Sequence, residues 1–420
     1  MVLVWILTSS STVSVSFHPI TTITTTTILI LILILIIHRK AQISYVNAVL
    51  RNIDRTGRER LESETSIVDN VDPWLAKQWM EQYGKDTTTT IVETAMSQSP
   101  VFITINHRYP QQQQEEQEQN QQEERIEQLE QMKDLFTTID EETGEIVPAE
   151  LLPTGSIRVD NFGGVVSKWP RYEDGLWWVQ DVSATLPAIA LFNTLHQQPQ
   201  PVTKMHVVDL CSAPGGKTAQ LCSLGFGRVD AIEISKQRSR SLHQNMQRLQ
   251  MEDICNIIIA DGRDFIPSSS SLVQGVLVDA PCSATGVCSR RPDVLRKSIN
   301  LDELTAIQNE LCVHAVDNIL DIDGVLVYAT CSLLKQEGED QIQKLLSSYS
   351  ASSSSSSSSS LSYSLETIPF TPGELVGFDE CIDEDGWLRV IPGVLQNSLQ
   401  YCDGFFVARL RKVHHKKPKQ

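Results

Sequence analysis

The chain has 420 residues, 41% of them hydrophobic, and a formal net charge of −17 at pH 7; that is enough for two or three domains and a sizeable core. Spread evenly, such acidity would argue against a nucleic-acid partner. However, residues 111–150 hold thirteen Asp/Glu against two Lys/Arg, and a basic stretch from Arg409 to Lys419 closes the chain, so the global balance says little about partners. Nine cysteines without one Cys-x-x-Cys pair point away from structural zinc and toward reduced thiols in an intracellular compartment.

Residues 1–37 contain no Lys, Arg, Asp or Glu and end in ten Ile and Leu residues, Ile28 to Ile37, before His38-Arg39-Lys40. That run is about half of what spans a bilayer, and no basic region precedes it as in a secretory signal. A signal anchor, an organelle leader and a misplaced gene start all remain open. From Ile43 to Ile53 the apolar residues recur at helical spacing. Pro73 to Met80 repeats the pattern with Asp72 as its N-cap, so residues 41–85 read as helical. Val101 to Asn106 alternates like a strand. The Gln/Glu tract from Gln111 to about Gln131 reads as a solvated insertion. Short strands follow at Ile157-Arg-Val159 and Leu176 to Gln180.

From Asp181 the pattern becomes strands alternating with helices. Strand-like runs lie at 205–210, 228–233, 255–260, 274–279 and 324–330, with helices at 235–250 and 301–320 among those between, as in a parallel sheet covered on both faces. Ser352 to Ser360 reads as a flexible loop. Trp387 to Ile391 and Gly404 to Leu410 read as closing strands.

Three segments carry chemistry. In the first, Asp209 ends a strand and Pro214-Gly215-Gly216 turns into a helix, so the backbone can approach a ligand near a helix N-terminus. Glu233, Asp261 and Asp279 end the next three strands on the same rim, where open α/β sheets bind ligands. Such a row suits an amino acid joined to a nucleoside, and S-adenosylmethionine is the obvious cofactor. The other two segments are Asp279-Ala-Pro-Cys282-Ser283 and Ala329-Thr-Cys331-Ser332, each placing a thiol just past a strand end. Methylation of cytosine carbon 5 needs a thiolate to add to carbon 6, so that carbon 5 becomes nucleophilic. Asp279 is placed to hydrogen-bond the ring nitrogen 3 edge, and Lys217 is the nearest candidate cation to activate a thiol. Spacing alone leaves open which of Cys282 and Cys331 attacks.

At these residues the chain resembles the Sun family of RNA cytosine-5 methyltransferases, and within it the bacterial small-subunit ribosomal RNA methyltransferase B. The resemblance spans roughly residues 41–412. It rests on Asp209 to Thr218, Asp261-Gly-Arg263, Asp279 to Gly286, Arg290-Arg-Pro-Asp293, Tyr328 to Ser332 and Asp403-Gly-Phe-Phe406. It implies a Rossmann-like methyltransferase sheet of α/β class, preceded by a small α+β RNA-contacting domain and a partial helical N-terminal region.

The implied boundaries are an apolar leader at 1–40 and a partial helical segment at 41–70. The small domain is at 71–175, with its Gln/Glu insertion at 111–131. The catalytic domain is at 176–412, with a serine-rich loop at 347–364, and the basic tail at 413–420. The resemblance also implies roles: Cys331 as nucleophile, Cys282 in product release, and Lys217 and Asp279 facing the base. Cofactor contacts would come from Cys211, Ser212, Ala213, Pro214, Gly215, Gly216, Lys217, Glu233, Asp261 and Asp279. RNA contacts are expected at Arg108, Arg290, Arg291 and the tail. The expected partner is RNA, ribosomal in the first place, with no metal and a monomeric chain. Two departures stand out: Glu233 occupies a position where the family usually has Asp, and only the last part of the family's helical N-terminal domain is present. The Gln/Glu and serine tracts are additions that point to a eukaryotic source and to an organelle or the nucleolus.

Overall fold

The computed structural model describes residues 2–7, 13–18, 66–108, 127, 129–139, 144–160, 162–268, 272–351 and 363–414. The apolar run at 28–37, the 43–53 helical pattern, the first part of the Gln/Glu tract, the serine run and the last residues of the tail lie outside these. By contacts the chain divides into two compact units, residues 1–98 with 288–298, and residues 99–287 with 299–420.

In the first unit β1 (Val2–Leu7) and β2 (Val13–His18) pair antiparallel. Helix α1 (Pro73–Met96) starts where expected, with the Asp72 carboxylate accepting from the Trp74 amide at 2.9 Å. It runs past residue 85, across a kink at Gly84, where φ is +81°. Its β-branched stretch stays helical through packing, with Thr88, Ile91, Val92, Thr94 and Ala95 buried, while the Thr88, Thr89 and Thr90 hydroxyls are satisfied by donating to the carbonyls four residues back. The Asp72 amide donates to the Leu295 carbonyl at 2.7 Å and Arg296 donates to the Asn70 carbonyl, so residues 288–298 are stitched to the start of α1.

The second unit holds two sheets. In the smaller, β6 (Glu150–Leu151), β7 (Ile157–Val159), β3 (Val101–Ile105) and β8 (Trp177–Val179) lie side by side in that order, with antiparallel pairing. A separate two-stranded ribbon pairs β4 (Thr138–Ile139) with β5 (Ile146–Val147). Alternation decides the sheet's packing. Ile103, Ile105 and Trp177 point into a local core with Phe136 and Trp169, whereas Phe102 and Trp178 join the core of the larger sheet. Asn106 donates to the Gly175 and Leu249 carbonyls, and Arg248 to those of Tyr172 and Trp177. The small sheet is thereby tied to its neighbour.

The larger sheet runs β11 (Cys255–Ile258), β10 (Arg228–Ile232), β9 (His206–Leu210), β12 (Gly275–Asp279), β13 (Val325–Thr330), β16 (Phe405–His414) and β14 (Tyr363–Thr367), with β15 (Leu388–Val390) also on β16. Five strands match the sequence-predicted runs within two residues and pair in parallel. The sheet is mixed rather than purely parallel, because β16 pairs antiparallel with β13, β14 and β15. Strands buried on both faces read as apolar runs. Val325, Val327 and Ala329 of β13 face one core, and Leu326 and Tyr328 the other. The first core is covered by α2 (Val182–His196), capped by the Asp181 side chain on the Ser183 amide. The second is covered by α5 (Leu301–His314) and the π turn that follows it, together with α6 (Glu339–Ala351). Helix α3 (Gly216–Ser223) follows β9, and α4 (Lys236–Arg248) buries only Ser239, Leu242 and Met246, one stripe at helical spacing.

The tail expected to carry free cations is partly strand. Arg409 is buried on Glu374 and the Thr194 hydroxyl, and the buried Lys412 ammonium donates to the Val316 and Leu320 carbonyls. These two cations satisfy orphan backbone acceptors and an internal carboxylate, and do not form a charged surface. Among the described residues no helix is long and apolar enough to cross a membrane.

Candidate active site

The site is built on the loops that leave the carboxyl ends of β9, β10, β11, β12 and β13. After β9 the chain turns sharply. Cys211 has φ +65° and Gly215 has φ +109°. A side chain at Gly215 would be strained by that φ, and its Cβ would lie 2.7 Å from Leu242 Cδ1 on α4. The turn is pinned from several sides. The Ser212 hydroxyl donates to the Ile232 carbonyl at 3.0 Å, Asn245 donates to the Pro214 carbonyl at 2.8 Å, and Arg238 donates to the Ala213 carbonyl. Cys211, Gly216 and Lys217 are half-buried, Pro214 is exposed, and Ser212, Ala213 and Gly215 are buried.

The four rim carboxylates do not share one environment. Asp209 lies within β9 rather than at its end; it is fully buried and accepts from the Thr218 hydroxyl at 2.6 Å. Burial pushes its pKa up to about 7, with the Thr218 bond opposing the shift. It braces α3 from beneath through Thr218. Glu233, just past β10, accepts from the Ala213 amide at 3.2 Å and the Ser235 amide at 2.8 Å, joining the β9 turn to the start of α4. Asp261 is gripped by the Arg263 guanidinium and amide, and that hydrogen bonding keeps its pKa below the usual carboxylate value. Asp279 ends β12 and accepts from Lys217 Nζ at 2.8 Å.

Lys217 is held between Asp279 and the ring of Phe405, 4.9 Å from its ammonium. Burial alone would lower its pKa; the Asp279 charge and hydrogen bond outweigh burial and raise it, with negative charge at Cys331 adding to the effect. Lys217 therefore stays cationic beside the thiols. The two thiols meet: Cys282 Sγ and Cys331 Sγ are 3.5 Å apart, and both residues are half-buried. The hydrogen bond to Cys331, followed by burial, holds the Cys282 thiol well above its ordinary pKa. Burial and surrounding carboxylates push Cys211 up to about 12, so its thiol is inert.

The loops carrying the thiols are locked together through their backbones. Gly286 N donates to the Cys331 carbonyl at 2.8 Å, and Gly404 N to the Gly286 carbonyl at 2.9 Å. A Cβ at Gly286 would sit 2.2 Å from the Gly404 carbonyl oxygen. Ala284, between Cys282 and Gly286, has φ +60°, an unusual conformation for a residue with a side chain, stored at the point where Cys282 is presented. The Arg389 guanidinium donates to the Ser332 carbonyl and pairs with Glu339.

The structure thus brings Cys331, Cys282, Lys217 and Asp279 into one site. The residues expected to touch RNA divide between the two units. Arg108 forms a bidentate pair with Asp253 at 2.9 and 2.8 Å, its side chain engaged within the fold. Arg290 and Arg291 belong to the first unit; both are exposed, and Arg291 pairs with Asp293 at 3.0 Å. Glu337 and Arg389 are not singled out by the sequence, and Phe405 enters only as part of the Asp403-Gly-Phe-Phe406 motif. The serine that follows each cysteine was the available trace of Glu337, because both hydroxyls end on its carboxylate. Among the described residues no group of three or more His, Cys, Asp or Glu could hold a metal ion.

The family model described as 16S rRNA methyltransferase RsmB/F matches residues 196–411. Ribosomal RNA small subunit methyltransferase F of Cronobacter sakazakii is 34% identical over 248 residues, covering 58% of this chain and 46% of the relative. Ribosomal RNA small subunit methyltransferase B of Sodalis glossinidius is 28% identical over 336 residues, covering 77% and 68%. The chain therefore spans about half to two thirds of the length of these curated relatives. A methyltransferase homolog protein from Pyrococcus horikoshii shares the fold at a TM-score of 0.59 and 20% identity, covering 83% of this chain and 100% of that one. NSun6 from the same organism, solved with SFG, has a TM-score of 0.56 at 18% identity, covering 82% and 99%. With more than half of its length matched by the family model, the chain belongs to the RsmB/F family of 16S rRNA methyltransferases.

Proposed function

We propose that this protein transfers the methyl group of S-adenosylmethionine to carbon 5 of a cytosine in RNA, ribosomal RNA in the first place, through a covalent bond between Cys331 and the base. The observation that carries the reading is the pair of thiols 3.5 Å apart beside a lysine that is itself 2.8 Å from a carboxylate. One thiol can bond to the base while the other holds a proton, which a single cysteine cannot do.

The donors around the β9 turn fit the cofactor's chemistry. Asp261 and Asp279 keep part of their surface open and can accept from hydroxyl or amino groups, and the left-handed turn at Gly215 leads into the N-terminus of α3. Cys211 to Lys217, Glu233, Asp261 and Asp279 would hold it. When bound, S-adenosylmethionine supplies an electrophilic methyl group.

The chain's own residues do the rest. The Lys217 ammonium interacts with Cys331, and Cys282 keeps its proton. The Cys331 sulfur adds to carbon 6 of the cytosine, and Asp279 bonds the nitrogen 3 edge, so carbon 5 becomes nucleophilic. After carbon 5 is methylated, a base removes its proton and the sulfur–carbon 6 bond breaks, with Cys282 assisting release. The target must be single-stranded or flipped, because carbon 6 is unreachable within a stack.

The test is incubation with labelled cofactor and ribosomal RNA, transfer RNA or DNA, followed by bisulfite mapping of the labelled RNA. Label at cytosine in ribosomal RNA is expected. Label confined to transfer RNA would move the substrate, and RNA binding without any transfer would make this a silent assembly factor that keeps the fold.

A further inference from the structure

Glu337 lies six residues beyond Cys331, is wholly buried, and takes no part in the chemistry described above. Four donors converge on its carboxylate: the Ser283 amide at 2.9 Å, the Ser283 hydroxyl, the Ser332 hydroxyl at 2.6 Å, and Gln308 Nε2 at 2.9 Å. A buried anion is tolerated only when its acceptors are filled in this way. Ser283 directly follows Cys282, and Ser332 directly follows Cys331. Their hydroxyls are also 2.9 Å from each other. The Glu337 backbone is itself fixed, its carbonyl accepting from the Tyr328 hydroxyl of β13 at 2.7 Å. Gln308 of α5 reaches the Pro281 carbonyl as well, at 2.9 Å, so the helix joins the same knot.

We infer that Glu337 is the positioning residue that sets the spacing of the two thiols, by holding the serine next to each cysteine on one carboxylate. This rests on the proposed function for its purpose and on the geometry alone for its existence. The Thr285 hydroxyl backs the same knot from farther off, 3.4 Å from the Ser283 hydroxyl and 3.3 Å from that of Ser332, and accepts from the Leu333 amide at 2.9 Å; the Glu337 carboxylate makes the shorter bonds to both serines. The Gly286 amide on the Cys331 carbonyl ties the two loops through their backbones, and the carboxylate adds a tie through the side chains next to the thiols.

The experiment uses the full chain and diamide, a diazene oxidant that takes two electrons and two protons from a thiol pair to give a disulfide and a hydrazine. Closure of a Cys282–Cys331 bridge reports their spacing without RNA or cofactor, because the sulfurs must approach from 3.5 Å to bonding distance, about 2.05 Å. It is followed by peptide mass mapping. The wild type is expected to close the bridge readily. Glu337→Gln, and separately Ser283→Ala and Ser332→Ala, should each slow closure, the glutamine variant by about tenfold or more, since a misplacement of about 1 Å can cost on the order of 10²-fold. The serine variants carry the test if Glu337→Gln fails to fold.

With RNA and labelled cofactor, Glu337→Gln should raise the fraction held as a denaturant-resistant protein–RNA adduct relative to methylated product. A purely structural loss would lower both together. Closure at wild-type rates in all folded variants, or no bridge in the wild type, overturns the inference. Loss of methyl transfer in the wild type, with closure still dependent on Glu337, would overturn the proposed function and leave the positioning role intact.

Discussion

Two sulfur atoms in hydrogen-bond contact have unequal surroundings. Cys331 interacts with the charge of Lys217, while Cys282 is held protonated by Cys331, burial and Glu337. Under the proposed mechanism Cys331→Ala should abolish methyl transfer and leave cofactor binding intact, measured by calorimetry. Cys282→Ala should trap a protein–RNA adduct, seen as a retarded band on a denaturing gel. The reverse pattern would exchange the two roles. Asp209 gives a pH prediction. Its folded pKa, about 7, lies above its ordinary value of 3.8, so the native state binds the proton more tightly than the unfolded chain. Stability is fully supported below pH 4 by this group and is lost as pH rises toward 7. Asp209→Asn, which keeps an acceptor for Thr218, should flatten that decline in melting temperature between pH 4 and 7. A slope identical to wild type would refute it.

At the scale of elements, the site depends on loops that leave no room. Gly286→Ala would drive a methyl group into the Gly404 and Cys331 carbonyls. It should cost about 1–3 kcal/mol, the usual range for overpacking, and move Cys331; chemical denaturation and the bridge-closure rate would both register it. An unchanged denaturation midpoint would show that the two loops are not in contact. Helix α1 offers a control away from the chemistry. Asp72→Ala removes the acceptor for the Trp74 amide and should cost about 1 kcal/mol, with no effect on bridge closure. The same scale explains why α1 exceeds its sequence-predicted end: a threonine run has poor intrinsic helix propensity, but Thr88, Ile91, Val92, Thr94 and Ala95 are buried, and packing overrides propensity.

For the whole molecule, the net charge of −17 is a weak guide because its largest part lies in one tract. RNA binding, if it rests on cations such as Arg290 and Arg291, should weaken steeply as salt rises; a filter-binding series at several salt concentrations checks this, and a flat series would remove the charge argument. Arg409 and Lys412 should contribute nothing to that slope, since each is consumed inside the fold. The sequence by itself determined the parallel strands, because residues buried on both faces must form apolar runs whose ends can be read, and it singled out the two cysteines and Lys217 as candidates, because thiols and a cation just past strand ends are recognisable as residue types. Only the tertiary structure decided that β16 runs antiparallel to β13, that Asp209 braces a helix while Asp279 holds the lysine, and that Glu337 receives both serines. Pairing direction, burial and shared hydrogen-bond partners depend on residues far apart along the chain, and no local pattern records such distances.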